Sequence, residues 1–84
     1  MILVLFGMVK VGERYRHFKG KEYEIVGVAR DCEDLEEVVI YRGLYDSEEF
    51  GRNPIWIRKM VDFCGDKVFE DGRRVRRFEK IEDG

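Results

Sequence analysis

Few residues in this chain are able to do covalent chemistry. Its 84 residues include one serine, one histidine, two cysteines and no threonine. Nucleophilic catalysis needs a nucleophile, a base and a place for the developing anion. Ser47 stands in Asp46-Ser47-Glu48-Glu49, where the acids oppose an alkoxide and the pattern suits a loop or a helix cap. Cys32 or Cys64 with His17 is the other pairing. A reactive thiolate needs an electropositive setting, yet Cys32 sits among Asp31, Glu33 and Asp34. His17, Cys32 and Cys64 have none of the paired spacings that hold zinc, so neither metal nor cofactor is expected. No glycine-rich loop opens a helix to cradle phosphate. Glu36 and Glu37 are adjacent, point to opposite faces of a strand, and so make no catalytic carboxylate pair. An enzyme of unfamiliar type, using His17 with nearby carboxylates, is the remaining catalytic alternative.

Binding chemistry is better represented, with eleven aromatic residues. Tyr23, Phe63, Phe69 and Phe78 are expected in the core. Tyr15, Tyr41, Tyr45, Phe50 and Trp56 fall near strand ends or loops, where small β-modules grip extended peptides or stack bases. Trp56 faces opposite to Ile55 and Ile57 by alternation, so it is either a core plug or partly exposed. Arg73-Arg74-Val75-Arg76-Arg77 is the one basic cluster. With Arg14, Arg16, Lys19 and Lys21 it would make a phosphate-binding stripe. Its neighbours Glu70, Asp71 and Glu79 offer the blander account of cross-strand salt bridges. The expected binding surface is Tyr15, Arg16, Tyr41, Arg42, Tyr45, Trp56 and Arg58.

These side chains are positioned by a long pair of strands. Glu22–Arg30 and Val38–Tyr45 are rich in β-branched and aromatic residues, which suit a pleated, half-buried surface. Alternation places Tyr23, Ile25, Gly27 and Ala29 on one face. Asp31 to Asp34 form a polar link between the strands, a helix over Glu33–Val39 being the competing reading. Glu13–Phe18 is a shorter strand, joined to the pair through Lys19-Gly20-Lys21. Ile55–Ile57 is a brief strand. Lys59–Cys64 forms one helical turn stopped by Gly65. Asp71-Gly72 is a strong hairpin signal between Val68-Phe69 and Arg74–Phe78. Short strands, tight turns and one helical turn predict an all-β fold, a small and strongly curled antiparallel barrel of SH3-like type. An α+β sandwich is the alternative.

A chain this short makes one domain with a small core. Residues 9–81 are expected to form it, with residues 1–8 as an N-terminal extension or an added strand and 82–84 as a frayed tail. The run Met1 to Phe6 is too short for a membrane span and has no basic flank, which points to a cytoplasmic protein. Charged residues make up 40% of the chain, against about 25% in ordinary proteins, and there is no glutamine. That is the pattern of a thermophile. In such a cell a Cys32–Cys64 bridge is one possibility. Residues 31–49 carry eight acids and one arginine, a net of −7 in a chain of net −2. This block favours a peptide or protein partner over RNA, with a monomer or an edge-paired homodimer as the assembly.

The blocks Tyr15-Arg16-His17-Phe18-Lys19-Gly20, Tyr23 to Ala29, Leu35 to Arg42, Trp56-Ile57-Arg58 and Arg77-Phe78 resemble a family of small bacterial domains of unknown function. The resemblance spans about residues 10–81 and implies an all-β fold, but no activity. The family's typical Trp block ends in Arg-Pro, and Lys59 stands where that proline would be. The family's turn carries His-Ser where Asp31-Cys32 stand, so the resemblance gives Cys32 no shared role.

Overall fold

The computed structural model describes residues 9–81. The expected N-terminal extension and C-terminal tail lie outside the described residues. The strands are β1 Arg14–His17, β2 Glu22–Arg30, β3 Glu37–Gly43, β4 Asp46–Ser47, β5 Gly51–Arg52 and β6 Ile55–Lys59. One helical turn follows, α1 Met60–Phe63, and then β7 Asp66–Val68, β8 Arg74–Arg76 and β9 Phe78–Lys80. Five strands form the main sheet, in the order β6-β3-β2-β1-β9, all neighbours antiparallel. β4–β5 and β7–β8 are separate two-stranded ribbons. The fold is all-β with one short helix, as the sequence predicts. No hydrogen-bonded ladder closes it into a barrel among the described residues: β6 and β9 are the two open edges. Residues 31–36 are turn rather than helix. There Asp31 and Asp34 side chains accept the Glu33 and Glu36 backbone N–H groups, the local bonding that draws acidic residues away from helix.

The alternation read from β2 fails midway, for a physical reason. Ile25 pairs with Tyr41 but Gly27 pairs with Ile40, so Val26 is an extra residue, a β-bulge. Past it the faces exchange. Val28, rather than Gly27, shares the face of Ile25, Tyr41 and Val39. Bulges increase twist, and this one lies in the central strand pair, where extra twist helps the sheet curl. The inner face of the curl holds the core: Val9, Tyr15, Ile25, Val39, Tyr41, Met60, Phe63 and Phe78. Met60 and Phe63 of α1 roof it, and Phe63 stacks on Phe78 at 4.1 Å with 10° between the rings. No polar or charged residue is fully buried among the described residues.

Two turns follow from single residues. Gly72 has φ +88°, the left-handed conformation that glycine adopts at no steric cost, and Asp71 accepts the Arg73 N–H beside it. This hairpin is the one Asp71-Gly72 predicts. The two cysteines are free thiols rather than a bridge, Cys32 exposed and Cys64 half-buried beside the Met60 sulfur.

Candidate functional site: the seam between the two sheet edges

The curl brings the inner faces of the two open edges together. On one side, β1 pairs with β9 so that His17 lies opposite Phe78. On the other, β6 pairs with β3 so that Trp56 lies opposite Tyr41 and Arg58 opposite Val39. The sides meet where the Arg58 guanidinium lies over the Phe78 ring, 5.8 Å from its centre. The His17 ring meets Phe78 edge-on at 4.9 Å. Arg58 Nε donates to the Tyr41 hydroxyl at 3.2 Å. A cation resting on aromatic faces in this way is held by the ring quadrupole as well as by its hydrogen bond.

Arg77 is the residue before β9. Its backbone is tied down twice: it donates to Gly65 O at 3.1 Å and accepts from Phe18 N at 3.0 Å. Arg58 and Arg77 are both half-buried residues, and none of the ion pairs among the described residues involves either one. Arg77 Nε is fully covered and has no hydrogen-bond partner among the described residues. His17 Nδ1 accepts the Lys19 backbone N–H at 3.1 Å, which leaves the proton of the neutral ring on Nε2. Burial first, then the charges of Arg58, Arg77 and Lys19, push the His17 imidazole below its usual 6.5. The ring is therefore a neutral donor in a positive field. His17 also lines a cleft of about 520 Å³ beside β1 and β9, with Arg16, Phe18, Arg76, Glu79 and Lys80 among its walls.

A second cluster continues the inner face past Trp56. Trp56 Nε1 donates to the Tyr45 hydroxyl at 3.2 Å, and that hydroxyl lies 3.1 Å from the Tyr23 hydroxyl. Gly43 makes this possible: a Cβ there would stand 2.6 Å from Tyr45 Cε1. Burial, followed by the hydrogen bond to Tyr45, pushes the Tyr23 phenol well above its usual 10. Lys21 Nζ lies 4.2 Å from the centre of the Tyr45 ring, and the Phe50 ring meets Trp56 at 5.2 Å. Phe50 is 57% exposed, so this group forms a ledge open to solvent.

The structure sorts the sequence-predicted residues. Tyr45, Trp56 and Arg58 are brought together on the inner face. Tyr15 and Tyr41 are corrected to the core: only 8% and 4% exposed, they are packed on Phe63 and offer no free ring. Nearness to a strand end misled there, because α1 folds back over both. Arg16 and Arg42 stand on the opposite face, 3.0 Å from Glu22 and 3.8 Å from Glu24. The sequence reading placed His17 only in catalytic and zinc roles, and Arg77 only in the basic cluster. The meeting of His17 with Phe78 depends on the β1–β9 register, which no local pattern encodes. Among the described residues, no group of three or more His, Cys, Asp or Glu side chains is placed to hold a metal ion. No helix among them is long and apolar enough to cross a membrane.

Comparison with known proteins bears on the family and the fold. The model of a family described as a protein of unknown function, DUF1653, matches residues 13–80. The chain belongs to that family. A solved structure, the crystal structure of a DUF1653 protein from Bordetella bronchiseptica, is 30% identical and superposes with a TM-score of 0.66 over 87% of each chain. The comparison with curated proteins gave no match. The sequence resemblance thus names the right family and the fold, and the DUF1653 family brings no activity with it.

Proposed function

We propose that this DUF1653 domain is a non-catalytic binding module that takes an extended segment of a protein partner along β6. The observation that supports this reading is β6 itself. It ends the five-stranded sheet, so its outer backbone groups are unpaired within the main sheet. Ile55 and Ile57 are 56% and 68% exposed on one face, and Trp56 and Arg58 lie half-buried on the other. An extended peptide that adds to such an edge gains backbone hydrogen bonds, and alternate side chains give specificity. Pro54 before the strand and Lys59 at its end keep the edge short, which guards it against indefinite strand addition. Trp56, Tyr45 and Phe50 would receive aromatic or aliphatic side chains of the partner, and Arg58 an acidic one.

RNA is the second reading, since aromatic and arginine side chains also bind single strands. The acidic block disfavours it. The test is a displayed random dodecapeptide selection followed by amide-resolved titration of the best peptide and, separately, of a short RNA. We expect peptide shifts along Ile55–Arg58 that vanish in Ile57→Asp, a substitution at an exposed position. Shifts with RNA alone, lost as salt rises, would overturn the peptide reading in favour of the other.

A further inference from the structure

We infer that the segment received by β6 is the β6 strand of a second copy of this chain, paired antiparallel about a two-fold axis at Ile57. This rests on the edge-binding reading and names its partner.

The outward backbone groups of β6 are fixed by its inner neighbour. Gly43 N–H donates to Pro54 O at 2.8 Å, so Pro54 turns its carbonyl toward β3. Antiparallel ladders alternate in steps of two. Trp56 and Arg58, opposite Tyr41 and Val39, therefore also turn their backbone groups toward β3. Ile55 and Ile57 turn theirs outward, and no turn or loop hydrogen bond among the described residues uses them. Free edge groups of this kind are a template for pairing with another chain.

Register favours a second copy as that chain. A two-fold axis at Ile57 sets Ile57 against itself, Ile55 against Lys59 and Trp56 against Arg58. All five residues of Ile55–Lys59 are then used. Ile57 exchanges both its bonds with its counterpart. Pro54, which has no N–H to give, falls past the end of the pairing. Trp56 and Arg58 become the non-hydrogen-bonded pairs, in which side chains approach closest. Each sets an indole against a guanidinium on the inner face, once on either side of the axis. Arg58 has no carboxylate partner among the described residues, so the ring breaks no ion pair as it approaches. On the outer face Ile57, 68% exposed and beside Ile40, gains an apolar neighbour in its counterpart. Other registers fit worse. An axis at Arg58 sets the two arginines against each other, which like charges oppose. An axis at Trp56 puts Arg58 opposite Pro54 and forfeits both ring contacts. The pairing consumes β6 of each copy, so it closes at two. Five residues a side make less than a standard interface. The dimer is therefore weak, dissociated when dilute and assembled when concentrated.

Sedimentation of the full chain from micromolar to millimolar concentration reads the assembly. Isotope-filtered NOE spectra of mixed labelled and unlabelled chains read the register, with thermal midpoint as a control for folding. The mass should double with concentration, and an intercopy contact should join Trp56 Hα to Arg58 Hα. Ile57→Asp brings two carboxylates together at the axis and should weaken the dimer about tenfold or more. Val68→Asp, at an exposed position on the separate β7–β8 ribbon, should change it little. A dimer that Val68→Asp breaks as readily, or one without the Trp56–Arg58 contact, is built on another surface, and the inference fails. A chain that stays monomeric to millimolar concentration overturns it as well. In that case a selected peptide that still shifts Ile55–Arg58 leaves the edge reading standing, whereas a silent β6 removes both.

Discussion

On the outer face of the sheet, Arg16 and Arg42 stand beside carboxylates; in the β6–β9 seam Arg58 rests on the Phe78 ring and the Tyr41 hydroxyl. Arg16 faces Glu22 at 3.0 Å and Arg42 faces Glu24 at 3.8 Å. Lys59 gathers three acids, Asp31, Asp34 and Glu36, all from the segment leading into β3. Pairs this exposed each contribute little, because water and salt screen them. They keep a highly charged surface soluble and in register. Arg58 answers to a different logic: it has no carboxylate partner among the described residues and is held by the Phe78 ring and the Tyr41 hydroxyl. The difference separates cations held by carboxylates from a cation held by aromatic groups, on strands only a few residues long.

The largest test of this division removes the floor of the seam. Phe78 is 3% exposed and touches Phe63, Tyr23, Tyr41 and His17. Phe78→Ala should destabilise the domain by about 3–5 kcal/mol, the usual range for an aromatic cavity. Ile57→Ala, across the sheet and 68% exposed, should stay within about 0.5 kcal/mol. Urea titration followed by the emission of Trp56, the single tryptophan, reads both. An Ile57→Ala loss as large as that of Phe78→Ala would mean that the outer face is covered in solution, and the comparison would break there.

A smaller effect is expected at the far end of the inner face. In Gly43→Ala the new methyl meets the Tyr45 ring at 2.6 Å, so the ring has to swing away. Tyr45 would then lose its contacts to Tyr23 and Trp56. The cost should be about 1–3 kcal/mol, the range for overpacking, with a change in Trp56 emission in the folded state. Unchanged emission would show that the hydroxyl chain does not hold the ledge.

Much of this was legible in the sequence, and the illegible parts share a cause. Strand composition, the Gly72 turn, the helical turn and Phe63 and Phe78 as core all follow from local pattern. So does the opposition of Trp56 to its flanking isoleucines. The bulge at Val26 is invisible to strict alternation, since Val, Gly and Val fit either face. Closure of the curl is set by that bulge and by α1 packing over Tyr15 and Tyr41, which are tertiary facts. The seam therefore gathers residues from positions 17, 41, 58 and 78, and no spacing within the chain announces it.

The smallest effect separates the two regions by pH. His17 is held below its ordinary 6.5 by burial and by Arg58 on β6, Arg77 before β9 and Lys19 in the β1–β2 turn. The unfolded chain thus takes up this proton first. Stability from His17 is complete above pH 6.5 and declines as pH falls from there through the folded-state value. On the outer face, the hydrogen bond from Lys59 and then the Glu36 N–H hold Asp34 below its ordinary 3.8. That contribution persists to lower pH, and fades only below 3.8 as the folded-state value is passed. Two windows result, one for each region. Arg58→Gln should narrow the upper window by letting His17 titrate nearer 6.5, and leave the lower one alone. Lys59→Met should do the reverse. The His17 and Asp34 resonances, followed through one pH titration of each variant, read both outcomes. If Lys59→Met moved His17 as far as Arg58→Gln did, the two regions would be a single electrostatic system and the division between carboxylate-held and aromatic-held cations would fail.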